Sequence, residues 1–290
     1  MTNHQRKRIS YAQNFLIRTS LARRIVERAA IQPRDLVIEI GPGRGVLTHR
    51  LADGCRQVIA IEKDPTLARR LSREVGALGN VAIFESDFLD LPLPVTPYKV
   101  VANIPFNMTA AIVNKLTRAP NPPEETALVI QREAAERFLG EPKQTLAALL
   151  LGPWFDLRIA DRFRQQDFVP PPRVDVVLLR FSKRGPPLIC PTEEQTYRDF
   201  VTFGFTAWKP TVAEALGTIL PRGPVDRIEG DCGVNLRLKP SEISFDGWLS
   251  LFRAFVSQAT VEQRQVITGA EERLCREQER IDKRSRPRQR

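Results

Sequence analysis

Along the first two thirds of the chain, apolar residues fall in short continuous runs. Along the last third they recur on single helical faces. Leu36-Val-Ile-Glu-Ile40, Gln57-Val-Ile-Ala-Ile61, Val81-Ala-Ile-Phe84, Tyr98-Lys-Val-Val-Ala102 and Thr126-Ala-Leu-Val-Ile130 read as buried strands. Helical spacing separates them: Leu21, Ile25, Val26 and Ala29 share one face opposite Arg23, Arg24 and Arg28. Leu67, Leu71 and Val75 repeat the pattern, as do the stretches 110–116 and 131–139. Strands alternating with helices predict an α/β, Rossmann-like, largely parallel sheet with helices on both faces. After an apolar helix over 144–151, Phe155, Leu157 and Ile159 alternate, and Val176 to Phe181 follows without a helix between. These two strands are expected as an antiparallel pair at one edge.

Lys183-Arg-Gly-Pro-Pro187 has the composition of a linker, and beyond it the pattern is helical only, over 193–208, 211–220 and 245–257. In the last of these, Trp248, Leu251, Phe252 and Phe255 form one face. The expected organisation is a basic arm over 1–18, a sheet domain over 19–183, a small C-terminal all-helical domain over 184–260, and a disordered basic tail over 261–290.

Composition narrows the chemistry. A net charge of +10 suggests a polyanionic partner, and the basic clusters at both ends favour nucleic acid. No apolar run is long enough for a membrane span, and no signal-peptide core follows the basic N-terminus, so a cytoplasmic protein with no membrane role is expected. Cys55, Cys190, Cys232 and Cys275 lack metal or redox spacing and read as reduced thiols. The only histidines, His4 and His49, are too few for a Ser-His-Asp hydrolase or a histidine-rich metal site, and no metal is expected. An enzyme built from this chain therefore leans on a cofactor for its reactive group.

The strand 36–40 runs into Gly41-Pro-Gly-Arg-Gly45 and a helix. The next strand ends at Glu62, where an acid in a Rossmann-like unit accepts hydrogen bonds from ribose hydroxyls. The sixth position of the turn is Val46 rather than glycine, and no Lys-Ser/Thr cradle follows. Both points favour a nucleoside cofactor without a pyrophosphate and disfavour an NAD-dependent dehydrogenase. Asp87, beside Phe88, could accept the amino group of an adenine. At the end of the strand 98–102, Asn103-Ile-Pro-Phe106 combines an amide, a carbonyl ahead of proline, a rigid turn and an aromatic face, which together could grip a planar exocyclic amine.

In chain order, Gln13-Asn14-Phe15-Leu16, Glu39-Ile-Gly-Pro-Gly-Arg-Gly45, Glu62, Asp87-Phe88, Asn103-Ile-Pro-Phe106 and Phe168-x-Pro-x-Pro-x-Val174 form a specific constellation. Over about residues 8–258 the chain resembles the ribosomal RNA adenine N6-dimethyltransferases, and more closely their Erm branch. The resemblance implies a class I methyltransferase fold using S-adenosyl-L-methionine. It implies that Asn14 and Leu16 close over the cofactor, that Gly41 and Gly43 line it, that Glu62 binds its ribose, and that Asp87 and Phe88 hold its adenine. Asn103 would sit between methyl donor and target, with Ile104 and Pro105 shaping the grip and Phe106 and Phe168 stacking on the base. The implied substrate is 23S ribosomal RNA before full ribosome assembly, with resistance to macrolide, lincosamide and streptogramin B antibiotics as the outcome, and a monomer is expected. Ser86 departs from the glycine common before the aspartate, which bears on the local turn. Two alternatives stand beside this reading: a small-subunit (16S) rRNA dimethyltransferase, which typically has Asn-Leu-Pro-Tyr, and a non-catalytic RNA-binding or transcription factor on the same fold.

Overall fold

The computed structural model describes residues 14–219, 230 and 233–285. Gln13, most of the basic arm, Cys232 and residues 286–290 lie outside the described residues. The chain divides into two compact units, one of Met1–Glu136 with Phe155–Arg184 and one of Arg137–Trp154 with Gly185–Arg290. The boundaries expected at 183 and 184 therefore miss one excursion: residues 137–154 leave the sheet unit and belong to the helical one.

In the first unit the order is β1 (Phe15–Leu16), α1 (Thr19–Arg28), β2 (Leu36–Ile40), α2 (Val46–Ala52), β3 (Gln57–Glu62), α3 (Pro65–Val75), β4 (Val81–Glu85), β5 (Lys99–Asn103), α4 (Thr109–Thr117), β6 (Glu125–Gln131), the start of α5 (Arg132–Leu139), β7 (Phe155–Phe163), β8 (Phe168–Val169) and β9 (Val176–Lys183). Seven strands form one sheet in the order β4-β3-β2-β5-β6-β9-β7. The first five are parallel; β9 is antiparallel to β6 and β7 antiparallel to β9, which gives the expected antiparallel edge. Every residue of β2 is buried, as a central strand of apolar, mostly branched residues requires.

The chain runs outward from β2 to β4 and then returns to pair β5 against β2. That reversal opens a crevice beyond the C-terminal ends of β2 and β5. Local chemistry fixes its walls. Asp64 caps α3 by accepting from the Thr66 backbone N–H at 2.7 Å, with Pro65 at the first helical position. Helix α1 buries Leu21, Ala22 and Ile25, and its Arg24 forms a paired ion bridge to Asp161 of β7 at 2.8 and 3.0 Å.

In the second unit, α6 (Leu146–Leu151), α7 (Glu194–Thr206), α8 (Val212–Leu216), α9 (Phe245–Gln258), α10 (Val261–Ile267) and α11 (Ala270–Ser285) enclose an aromatic core. Tyr197 meets Phe252 edge-on at 5.1 Å, and its hydroxyl donates to the Leu149 carbonyl at 2.9 Å. The expectation of disorder is corrected here for residues 261–285, because α10 and α11 are helices. Thr260 and Gln263 form a reciprocal cap at the start of α10, and Ile267 is buried in the core. The Asp199 carboxylate accepts from the backbone N–H groups of Gly269 and Glu271, which fixes the start of α11. Glu271 in turn receives the buried Arg198 guanidinium at 3.2 Å. The polar composition that suggested a tail reflects a helix whose buried residues, among those described, are Ala270 and Glu271 of its first turn.

Without Glu271, among the described residues the buried Arg198 keeps only its half-exposed partner Glu194, at 3.0 Å. Glu271→Ala is expected to lower the unfolding free energy by about 2 kcal/mol in urea titration. A disordered segment would give no change.

Candidate active site

The crevice holds a cleft of about 210 Å³ whose lining includes Gly41, Glu62, Asp87, Phe88, Pro105 and Met108. A smaller cavity of about 20 Å³ beside it is lined by Leu16, Glu39, Gly41 and Asn103 among others. The fold thus gathers residues from β1 to the β5 turn at one end of the sheet.

The glycine turn is stapled to the end of β3. Glu62 accepts from the Gly43 N–H at 3.0 Å with one oxygen and from the Asp64 N–H at 2.9 Å with the other. Gly43 presents its N–H from a left-handed backbone at φ +58°. Gly45 is also left-handed at φ +76°, and a Cβ there would collide with the Leu71 side chain. Glu62 is buried, and desolvation raises its pKa while these backbone donors oppose the rise.

Asp87 has the opposite character. Lys63 donates to it at 2.6 Å and the Leu89 N–H at 2.9 Å, and the Lys63 hydrogen bond is the main reason that its pKa lies below the usual carboxylate value. Its carboxylate retains acceptor sites for a further amine, since two oxygens offer about four lone-pair directions. Lys115 braces the same turn. It donates to the Phe88 and Leu89 carbonyls at 2.7 and 2.8 Å and lies 5.0 Å from the Phe88 ring centre. Ser86 is not in a left-handed conformation, so the serine there meets no backbone strain.

Asn103 Nδ2 donates to the Asn14 carbonyl at 2.7 Å. A carbonyl can only accept, so the amide nitrogen must face Asn14 and the amide oxygen is left for another donor. Ile104 is buried, Pro105 lines the cleft, and Phe106 is half-buried against the core that includes Leu16. The Thr109 hydroxyl donates to the Phe106 carbonyl at 2.9 Å, which fixes the exit of the turn.

These donors and acceptors fit a nucleoside-type methyl donor: an acid for ribose hydroxyls, an ionised acid and a ring for a purine, and a glycine turn that admits close approach. Comparison with known proteins agrees. The profile of the family described as "Ribosomal RNA adenine dimethylase" matches residues 4–257. The chain belongs to this family. An "rRNA adenine N-6-methyltransferase" of Saccharopolyspora erythraea is 31% identical over 252 residues, covering 87% of this chain and 66% of that protein, so the chain spans just under two thirds of that relative. A "Ribosomal RNA small subunit methyltransferase A" of Prochlorococcus marinus strain MIT 9313 is 30% identical over 272 residues, covering 87% of this chain and 94% of that protein. The crystal structure of the 23S rRNA methyltransferase ErmE matches with a TM-score of 0.78 at 30% identity, covering 84% of this chain and 100% of that one. The family and its fold are those of S-adenosylmethionine-dependent methyltransferases.

Within this dimethylase fold one predicted site residue takes a different place. Phe168 is fully buried and meets Phe163 edge-on at 6.0 Å, so its ring has no face for a base. The reason is the two-residue strand β8, which pairs Phe168 with Leu16 of β1. Phe168 therefore anchors the segment that carries Asn14. Other site residues escaped sequence reasoning. Lys63 and Lys115 act through distant partners and leave no local pattern. Met108, next to the quoted motif, lines the cleft.

Glu39 was legible as the lone acid in an apolar strand. It is buried, one of its oxygens makes no hydrogen bond, and desolvation, augmented by the Glu62 charge, pushes its carboxyl up from 4.5 to about 8. A raised pKa keeps the folded form protonated. The stability it contributes is complete below about pH 4.5 and declines as pH rises through about 8. The melting temperature of Glu39→Gln, relative to the parent, is therefore expected to climb between about pH 5 and about pH 8. A flat difference would show that Glu39 titrates normally.

Proposed function

We propose that this protein transfers methyl groups to the N6 amine of a specific adenine in 23S ribosomal RNA, acting before full ribosome assembly and conferring macrolide-lincosamide-streptogramin B resistance. The observation that carries this reading is the enforced orientation of Asn103. Asn103 lines the small cavity beside the cleft, and with its amide nitrogen on the Asn14 carbonyl its amide oxygen is left for another donor. An exocyclic amine has two hydrogens to donate, and the Asn103 amide oxygen and the Ile104 carbonyl would take one each. Such bonds favour a pyramidal nitrogen, whose lone pair is less delocalised into the purine and more nucleophilic. Holding that nitrogen in line then supplies most of the acceleration.

S-adenosylmethionine, when bound, supplies an activated methyl group. Glu62 would hold its ribose hydroxyls, Asp87 with Phe88 its adenine, and Gly41, Gly43, Asn14 and Leu16 the remainder. Phe106 would stack on the target base, for which an unpaired nucleotide costs least to extrude. Support for the 23S target comes from the Asn-Ile-Pro-Phe sequence and from the likeness to ErmE. The small-subunit reading is favoured by one observation, the Prochlorococcus relative matched over 94% of its length.

Incubation with labelled S-adenosylmethionine and naked 23S or 16S rRNA distinguishes them. Label is expected on a single adenine of 23S rRNA; label on 16S rRNA alone would transfer the assignment to the small subunit. Asn103→Ala is expected to reduce kcat by at least about a hundredfold. Cofactor affinity, measured by calorimetry, should stay within a few-fold of the parent. Near-normal turnover would remove the amine-gripping role.

A further inference from the structure

The helical unit carries an aromatic side chain in an improbable place. Trp208 is 94% exposed, and its backbone is left-handed at φ +54°. It lies one residue beyond Ala207, which ends α7. At that position a helix commonly places glycine, because a side chain in the left-handed region clashes with its own backbone. Here the largest of all side chains occupies it and then turns to solvent, so neither local conformation nor burial explains the tryptophan. The other tryptophans pack against the helical core: Trp248 is buried with its indole N–H donating to the Pro240 carbonyl at 3.1 Å, and Trp154 is half-buried there.

The surroundings of Trp208 are cationic. Lys209 follows it directly. The backbone N–H groups of Val212 and Ala213 donate to the carbonyls of Leu238 and Leu236, each at 2.9 Å. The start of α8, four residues after Trp208, therefore lies beside the 236–238 segment, where Arg237, Leu238 and Lys239 are exposed. Of the acids nearby, Glu242 receives Lys143 at 2.9 Å and the Lys239 backbone N–H at 3.3 Å, and Glu214 accepts the Thr211 hydroxyl at 3.3 Å while keeping its charge.

We propose that Trp208, with Lys209, Arg237 and Lys239, is a stacking platform for an unpaired base of the RNA substrate, separate from the base that is methylated. A planar ring held out in water by strained backbone offers a face to any base. Adjoining cations neutralise the flanking phosphates. This rests on the RNA-methylating reading and adds a contact from the helical unit that sets RNA affinity rather than chemistry.

The test uses the full chain and an in-vitro transcribed fragment of 23S rRNA containing the target adenine. Trp208→Gly relieves the left-handed strain and removes the ring; Trp208→Phe keeps a ring. Trp208→Gly is expected to keep or raise the melting temperature while weakening RNA binding about tenfold, with KM for RNA rising far more than kcat falls. Trp208→Phe should restore most of the affinity. In the parent, RNA should shield an exposed tryptophan from acrylamide quenching, and that component should be missing from Trp208→Gly. Unchanged RNA affinity in Trp208→Gly would overturn the proposal. So would a parent dimer in sedimentation that Trp208→Gly dissociates, which would identify a second copy as the occupant. If the parent transfers no methyl group to any rRNA, the underlying functional reading fails. Transfer by the parent with an unchanged KM in Trp208→Gly sinks only the platform.

Discussion

The hydrogen bond from the Asn103 amide to the Asn14 carbonyl is the constraint on which the site depends. Its length is 2.7 Å, and it joins residues 89 positions apart. Without it the amide could turn over and present a donor where the proposed target amine would need an acceptor. Each end of the bond is held by separate packing. Asn103 closes β5, a buried strand paired on both sides within the sheet. Asn14 precedes β1, whose Leu16 is buried opposite the fully buried Phe168. Core packing some residues away thus determines which atom of the Asn103 side chain is left for a further donor.

Three acids around the crevice, two glutamates and an aspartate, show how one fold gives the carboxyl group three environments. Glu39 is deep and underpaired, and burial keeps it protonated near neutrality. Glu62 is buried but braced by backbone N–H groups, which makes it a structural staple as well as a candidate ligand. Asp87 is paired with Lys63 and stays ionised. The differences come from solvent access and nearby donors, not from the residues themselves.

Much of this was legible in the sequence. Continuous apolar runs marked the central strands, and the return to Tyr98–Asn103 marked the site. Glycines before a helix marked the turn, because few residues tolerate its backbone. The misreadings share a physical cause, since each concerned an interaction without local periodicity. The family pattern sets Phe168 against the target base, but it is fully buried at a two-residue strand pairing. Residues 261–285 looked too polar to fold, yet they dock through Ile267, through backbone N–H groups on Asp199 and through the Arg198–Glu271 pair. Residues 137–154 join the helical unit through contacts far away in sequence.

The central claim concerns one atom, the Asn103 amide oxygen, as the acceptor for the substrate amine. A crystal structure with S-adenosylhomocysteine and adenosine tests it most directly. The account predicts the adenosine N6 within hydrogen-bonding distance of both Asn103 Oδ1 and the Ile104 carbonyl, with the Asn103 amide nitrogen still on Asn14. An adenosine bound elsewhere, or an Asn103 amide turned to present its nitrogen to N6, would contradict it.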